Sequence, residues 1–205
     1  MANHTKHIPR WLSLALVAGM ALCCVDGSWA AGPDAWQQLF ADGVKAREAA
    51  HYAEAEHLLR RALDEAEQVG FDAARVAAAA NNLGLLYHDQ GRLAEAQPLY
   101  ARALAIWEQQ LGPEHEDVAA ALNNLAEIAH AEADWGRAEP LYERVLAIER
   151  NVLGAAHPDV AISLNNLAEL YRKQGRETAA ESMYSLALIL MEEARGMDPP
   201  DLGPV

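Results

Sequence analysis

Apolar residues recur along this 205-residue chain at steps of three and four. Val76, Ala80, Leu83 and Tyr87 form one stripe, and after a break at Gly91 the pattern resumes with Leu99, Ala103 and Ile106. Such steps gather side chains on one face of an α-helix, so the stretch predicts a helix, a turn and a second helix. The predicted hairpin turns fall at Gly91, at Asp134 to Gly136, and at Gly175. Leu-Gly followed by Pro113 or Pro158 predicts a stop and restart between hairpins. Pro98 and Pro140 interrupt the helical pattern and are expected near the first turn of their helices, where a missing N–H costs least. No stretch reads as a credible strand.

The pattern is itself periodic. NNLGLLY begins at Asn81, NNLAEIA at Asn123 and NNLAELY at Asn165, each 42 residues after the last. A sustained period of that length marks stacked supersecondary units rather than one globular core. The expected array spans 34–196, with units at about 36–70, 76–117, 118–159 and 160–196 and the first of them degenerate. Pro199-Pro200 and Gly203-Pro204 make 197–205 an irregular tail.

Ahead of the array, Lys6 and Arg10 precede an apolar run from Trp11 to Cys24, and Ser28-Trp29-Ala30 offers small residues where a signal peptidase reads. Residues 1–30 are therefore expected to be a signal peptide cleaved after Ala30. As a helix the run would span about 21 Å, short of the roughly 30 Å hydrocarbon core, so no membrane span is expected afterwards. Adjacent Cys23 and Cys24 raise lipid attachment, but Leu22 stands where that processing wants a small residue. The expected location is the bacterial periplasm, with secretion beyond the envelope as the alternative.

Both cysteines fall within the signal, which leaves a mature chain without disulfide or thiol chemistry. The whole chain carries 16 basic and 30 acidic residues; loss of Lys6, Arg10 and Asp26 leaves 14 and 29, a net charge of −15. That surface repels phosphate backbones and anionic lipid, which argues against nucleic acid. Apolar residues make up 52% of the chain but aromatics only 6%. The abundant alanine suits close helix packing in a stack of short hairpins.

The segments LNNLAELY, AEPLYERVLAIER and LGAAHPDV resemble the 42-residue unit of the tetratricopeptide-repeat proteins, the kinesin-light-chain variety in particular. Small residues recur at the family's close-packing positions: Gly43, Gly84, Ala126 and Ala168 in first helices, Ala55, Ala96, Ala138 and Ala180 in second helices. The resemblance implies an all-α, right-handed α-solenoid of four hairpins, about eight helices, with a concave groove for an extended peptide. The export signal and the lack of a motor-associated coiled coil depart from the family, so cargo transport is not implied.

In that fold the first helix of each pair lines the groove. With the second asparagine of each pair facing inward, the rows are Ala78, Asn82, Leu85, Asp89; Ala120, Asn124, Glu127, Ala131; and Ile162, Asn166, Glu169, Lys173. Leu83, Leu125 and Leu167 then face the stack. Asn82, Asn124 and Asn166 are expected to hold peptide backbone through amides that both donate and accept, or else to tie adjacent helices together. Asn81, Asn123 and Asn165 read as structural. Leu85, Glu127, Glu169, Arg172 and Lys173 complete the expected peptide site, which is electrostatically mixed. The first unit offers Gln37, Ala41, Val44 and Glu48 instead, so the ladder should start at the second.

No catalytic constellation, cofactor motif or metal site is expected. His88 and His130 lie on neighbouring helices about 8 to 10 Å apart, too far for easy joint ligation, and His115 and His157 read as turn and helix-start devices. The last helix is anomalous: Leu186 stands where earlier units have Arg102 and Arg144, and Ile189 where they have Ala105 and Ala147. Leu186, Ile189 and Leu190 are therefore expected to be covered by the tail or by a second copy, making a homo-oligomer. The reading is a non-catalytic scaffold binding a protein segment; the alternatives are a self-assembling module and an accessory subunit of a separate enzyme.

Overall fold

The computed structural model describes residues 33–68 and 72–194. The expected signal peptide, its cleavage site and the tail at 197–205 lie outside the described residues. Eight helices are present among the described residues: α1 (Pro33–Glu48), α2 (Tyr52–Gln68), α3 (Ala73–Asp89), α4 (Leu93–Leu111), α5 (Glu116–Ala131), α6 (Trp135–Val152), α7 (Pro158–Lys173) and α8 (Glu177–Ala194). Each odd-numbered helix packs most closely on the even one that follows, and each pair then packs on the next. Extensive contact only between sequential elements is what makes the stack a solenoid.

All four hairpins turn in the same way. Ala50, Gly91, Ala133 and Gly175 each adopt a left-handed φ, at 58°, 72°, 58° and 75°. At each, the next N–H reaches back five residues: His51 to the Ala46 carbonyl, Arg92 to Tyr87, Asp134 to Ala129 and Arg176 to Tyr171, all at 2.8 Å. This is the Schellman arrangement, in which the left-handed residue lets otherwise unpaired helix carbonyls find donors. At the third hairpin the turn residue is therefore Ala133. Asp134 caps α6 by accepting from the Arg137 N–H, and Gly136 lies inside that helix, not in the turn.

Between pairs, His115 and His157 begin α5 and α7. Each Nδ1 accepts a backbone N–H at 3.2 Å, from Asp117 and Asp159 respectively. An imidazole here takes the role usually filled by Ser, Thr, Asp or Asn. Pro98 and Pro140 are the sixth residues of α4 and α6, in the second turn and not the first. The carbonyls they leave without an intrahelical N–H belong to Ala94 and Gly136, both exposed residues.

The core is two overlapping clusters of buried apolar residues that meet around α5 and α6. Helices approach closely at two glycines: a Cβ on Gly84 would stand 2.8 Å from the Tyr100 ring, and one on Gly43 would stand 2.9 Å from Leu59. Leu83, Leu125 and Leu167 are buried in the stack. Polar staples cross the junctions as well. Arg92 lies 4.0 Å over the Tyr87 ring and bonds Glu56 of the preceding pair, and Arg176 repeats this over Tyr171 at 3.8 Å with Glu139. The middle junction has Ala129, Asp134 and Gln97 at the matching positions, so ring, cation and acid are replaced together.

Candidate functional site

Direct side-chain contacts between first helices define one continuous wall. Arg47 on α1 pairs with Asp89 on α3 at 2.9 Å. Asn124 on α5 donates through Nδ2 to Asn81 on α3 at 3.1 Å, and Asn166 on α7 donates to Asn123 on α5 at 3.2 Å. Each second asparagine thus uses one amide hydrogen on the first asparagine of the unit before. Phe40 and Ala41 occupy the matching positions in the first unit, so Asn82 instead donates to its own Ala78 carbonyl at 3.0 Å. The tie between adjacent helices is therefore formed at Asn124 and Asn166. A primary amide has two hydrogens and two acceptor sites, so half-exposed Asn82, Asn124 and Asn166 keep capacity for a further partner.

The charges on this wall differ in how far they are matched. Arg172 forms a bidentate pair with Glu169, at 2.8 and 2.6 Å, Lys173 lies 3.7 Å away, and the Tyr184 hydroxyl donates to the same carboxylate at 3.0 Å. Arg172 chiefly holds Glu169 down to about 2. Glu169, Arg172 and Lys173 thus come together but largely neutralise one another. Glu127 is placed differently. It accepts from Asn123 Nδ2 at 2.8 Å, and its nearest ionisable neighbour is His88, with Nε2 at 3.8 Å. Leu85 is half-buried and packs on the first core cluster. Ile162, in the third row, is exposed.

Behind this wall stand tyrosines absent from the predicted site, though Tyr100, Tyr142 and Tyr184 share the repeat's 42-residue step. Tyr184 bonds Glu169. In the second unit the position of Glu169 is held by Leu85, and the fully buried Tyr100 has no partner for its hydroxyl among the described residues. Burial chiefly pushes both Tyr100 and Tyr142 upward, and the Glu127 charge adds to each. Glu127 therefore lies within electrostatic reach of two tyrosine hydroxyls.

The residues expected at the apolar end separate. Leu190 is buried in the second core cluster, and Leu186 packs against it. Only Ile189 of the three is exposed, beside Leu188, at 50% and 57% exposure. Leu186 also has a local explanation. In earlier units Arg102 pairs with Glu67 and Arg144 with Glu108, across neighbouring second helices. At the last junction the acid position is Arg150, and an arginine at 186 would face a like charge.

Elsewhere, His88 faces Glu127 while His130 meets the Trp135 ring edge-on at 5.3 Å, so the two histidines have separate environments. Among the described residues, no trio of His, Cys, Asp or Glu is placed to hold a metal. No described helix is long and apolar enough to cross a membrane. A cleft of about 420 Å³ opens between α2 and α4, lined by Arg60, Asp64, Glu95 and Pro98 over Leu83 and Tyr87. It belongs to the second-helix side and is distinct from the asparagine wall.

A stack of helical hairpins with a continuous first-helix wall defines a helical-repeat scaffold. The chain belongs to the tetratricopeptide-repeat family, whose profile matches residues 75–150 and 117–193, more than half of its length. Among solved structures it is similar to BtubC (BKLC) from P. vanneervenii, with a TM-score of 0.74 and 23% identity over 83% of this chain and 68% of that one. A single-substitution variant of a putative kinesin light chain with nearly identical repeats, from Podosopora anserina, gives 0.68 and 22% over 80% and 78%. MamA gives 0.62 and 17% over 82% and 84%. At these identities the likeness shows the fold. No curated protein matches the chain. Proteins of this family typically bind protein partners and are generally non-catalytic.

Proposed function

We propose that the protein is an exported, non-catalytic scaffold that holds an extended segment of a partner protein along the wall formed by α3, α5 and α7. The observation that carries this reading is the row Asn82, Asn124 and Asn166 in the last three units, whose amides keep unused donors and acceptors beside the one hydrogen bond each donates. An extended backbone presents donors and acceptors in series, and such a row can meet them without reading side chains. The test is capture from the exported-protein fraction by wild type and by an Asn82→Ala, Asn124→Ala, Asn166→Ala variant of verified helicity. Loss of the wild-type partner by the folded variant is expected; equal capture by both would sink the reading. The first residue of protein recovered from that fraction should be Ala31 if residues 1–30 are removed.

Exposed Leu188 and Ile189 favour a second reading, association of two copies through α8. Leu188→Glu with Ile189→Glu should then convert a dimer into a monomer in light scattering. A wild type that is already monomeric at tens of micromolar removes that reading.

A further inference from the structure

Three carboxylates punctuate the first-helix wall, and two carry their own cations. Asp89 has Arg47, and Glu169 has Arg172 and Lys173. Glu127, in the central unit, has no lysine or arginine within ion-pair distance among the described residues, and its side chain is 40% exposed. Two polar groups near it keep acceptor capacity. The Tyr100 hydroxyl is buried and has no partner among the described residues. Asn124, one helical turn before Glu127, uses Nδ2 on Asn81 and keeps its carbonyl oxygen. A buried polar atom left unpaired costs free energy that a ligand can recover.

We propose that Glu127 is the anchor for a lysine or arginine side chain of the segment bound on this wall, with the Tyr100 hydroxyl and the Asn124 carbonyl as its neutral partners. The inference rests on the groove reading above and adds the chemistry of its ligand. An ammonium brings three donors and no acceptor, and a guanidinium five; carboxylate, phenol oxygen and amide oxygen are three acceptors. An acidic ligand residue finds the reverse, a carboxylate already in place and the wall's arginines already paired. The overall acidity of the chain draws basic segments toward the wall over longer range.

Random dodecapeptides displayed on phage and selected on the purified protein test both levels. Selected peptides should carry lysine or arginine at one shared position and lose binding to the Asn82→Ala, Asn124→Ala, Asn166→Ala variant. Glu127→Gln keeps an acceptor for Asn123 and removes the charge. It should weaken such a peptide about tenfold, and replacing the peptide's basic residue by norleucine should weaken it by a similar factor without further loss in the combination. Tyr100→Phe distinguishes a ligand group from a packing group. It should leave melting temperature unchanged or raised, because an orphaned hydroxyl disappears, yet weaken the basic peptide several-fold. Peptides that need the asparagines but show no basic position, an acidic position, or indifference to Glu127→Gln overturn the anchor and leave the groove. Peptides indifferent to the asparagines, or no selection at all, overturn the groove and the anchor with it.

Discussion

Raising the pH from about 4.5 to about 7 should lower the stability of this protein relative to its Glu149→Gln variant by about 2–3 kcal/mol. Glu149 on α6 is 8% exposed and accepts one hydrogen bond, from Ser163 Oγ on α7 at 2.5 Å. Burial, opposed in part by that bond and aided by Asp159, raises its carboxyl from the ordinary 4.5 to about 7. Between those values the folded chain holds a proton that the unfolded chain has released. Stability therefore falls as pH rises through this window and is level above it. Below 4.5 both states are protonated and the contribution is fully favourable. Urea denaturation at pH 4.5, 5.5, 6.5 and 8 reads the slope, and a wild-type curve parallel to that of Glu149→Gln would refute it.

The register explains what this pair replaces. Glu149 is equivalent to Trp107 in the second unit, and Ser163 to Ala121, so a large apolar residue with a small one has become an acid with a hydroxyl. Ser163→Ala alone leaves the carboxyl without its donor and should cost about 1–3 kcal/mol. Changing both, Glu149→Met with Ser163→Ala, should recover that loss, because apolar groups of similar shape can replace a buried polar pair with little net cost.

A 42-residue period makes the fold legible because every unit repeats the same stripe, and four weak patterns in register outweigh any one of them. It also places Asn82, Asn124 and Asn166 on a common face. What it leaves hidden are partners across a junction, since an asparagine that ties to the unit before looks the same as one awaiting a ligand. The third hairpin shows the same limit locally. Alanine favours helix interiors, so nothing in Ala133 itself marks a left-handed turn; only its register with Ala50, Gly91 and Gly175 does. Likewise Leu186 looks anomalous against Arg102 and Arg144 until the charge reversal from Glu108 to Arg150 is placed beside it. Glu127 stands out only once the ion pairs of Asp89 and Glu169 are known, because unpaired charge is a property of neighbours and not of sequence.

Position in the stack should decide how far a core defect spreads. Leu122 on α5 and Leu164 on α7 are equivalent and both fully buried, so leucine-to-alanine at either should cost about 2–5 kcal/mol through lost transfer energy and a cavity. Leu164 lies in the last described pair, whose helices pack on α6 and on each other. Leu164→Ala should therefore open α7 and α8 while α1 to α4 keep their hydrogen-exchange protection. Leu122 lies in the pair that joins both clusters. Its loss weakens the α4–α5 and α6–α7 junctions together, so α7 and α8 lose their support as well, and protection should fall from α5 to the end of α8. In a nearest-neighbour solenoid the interfaces supply much of each unit's stability, which makes the central defect the larger one in melting temperature despite identical chemistry. Equal loss of protection in α1 and α2 for both variants would mean that the stack unfolds as one cooperative body, and the nearest-neighbour account would fail.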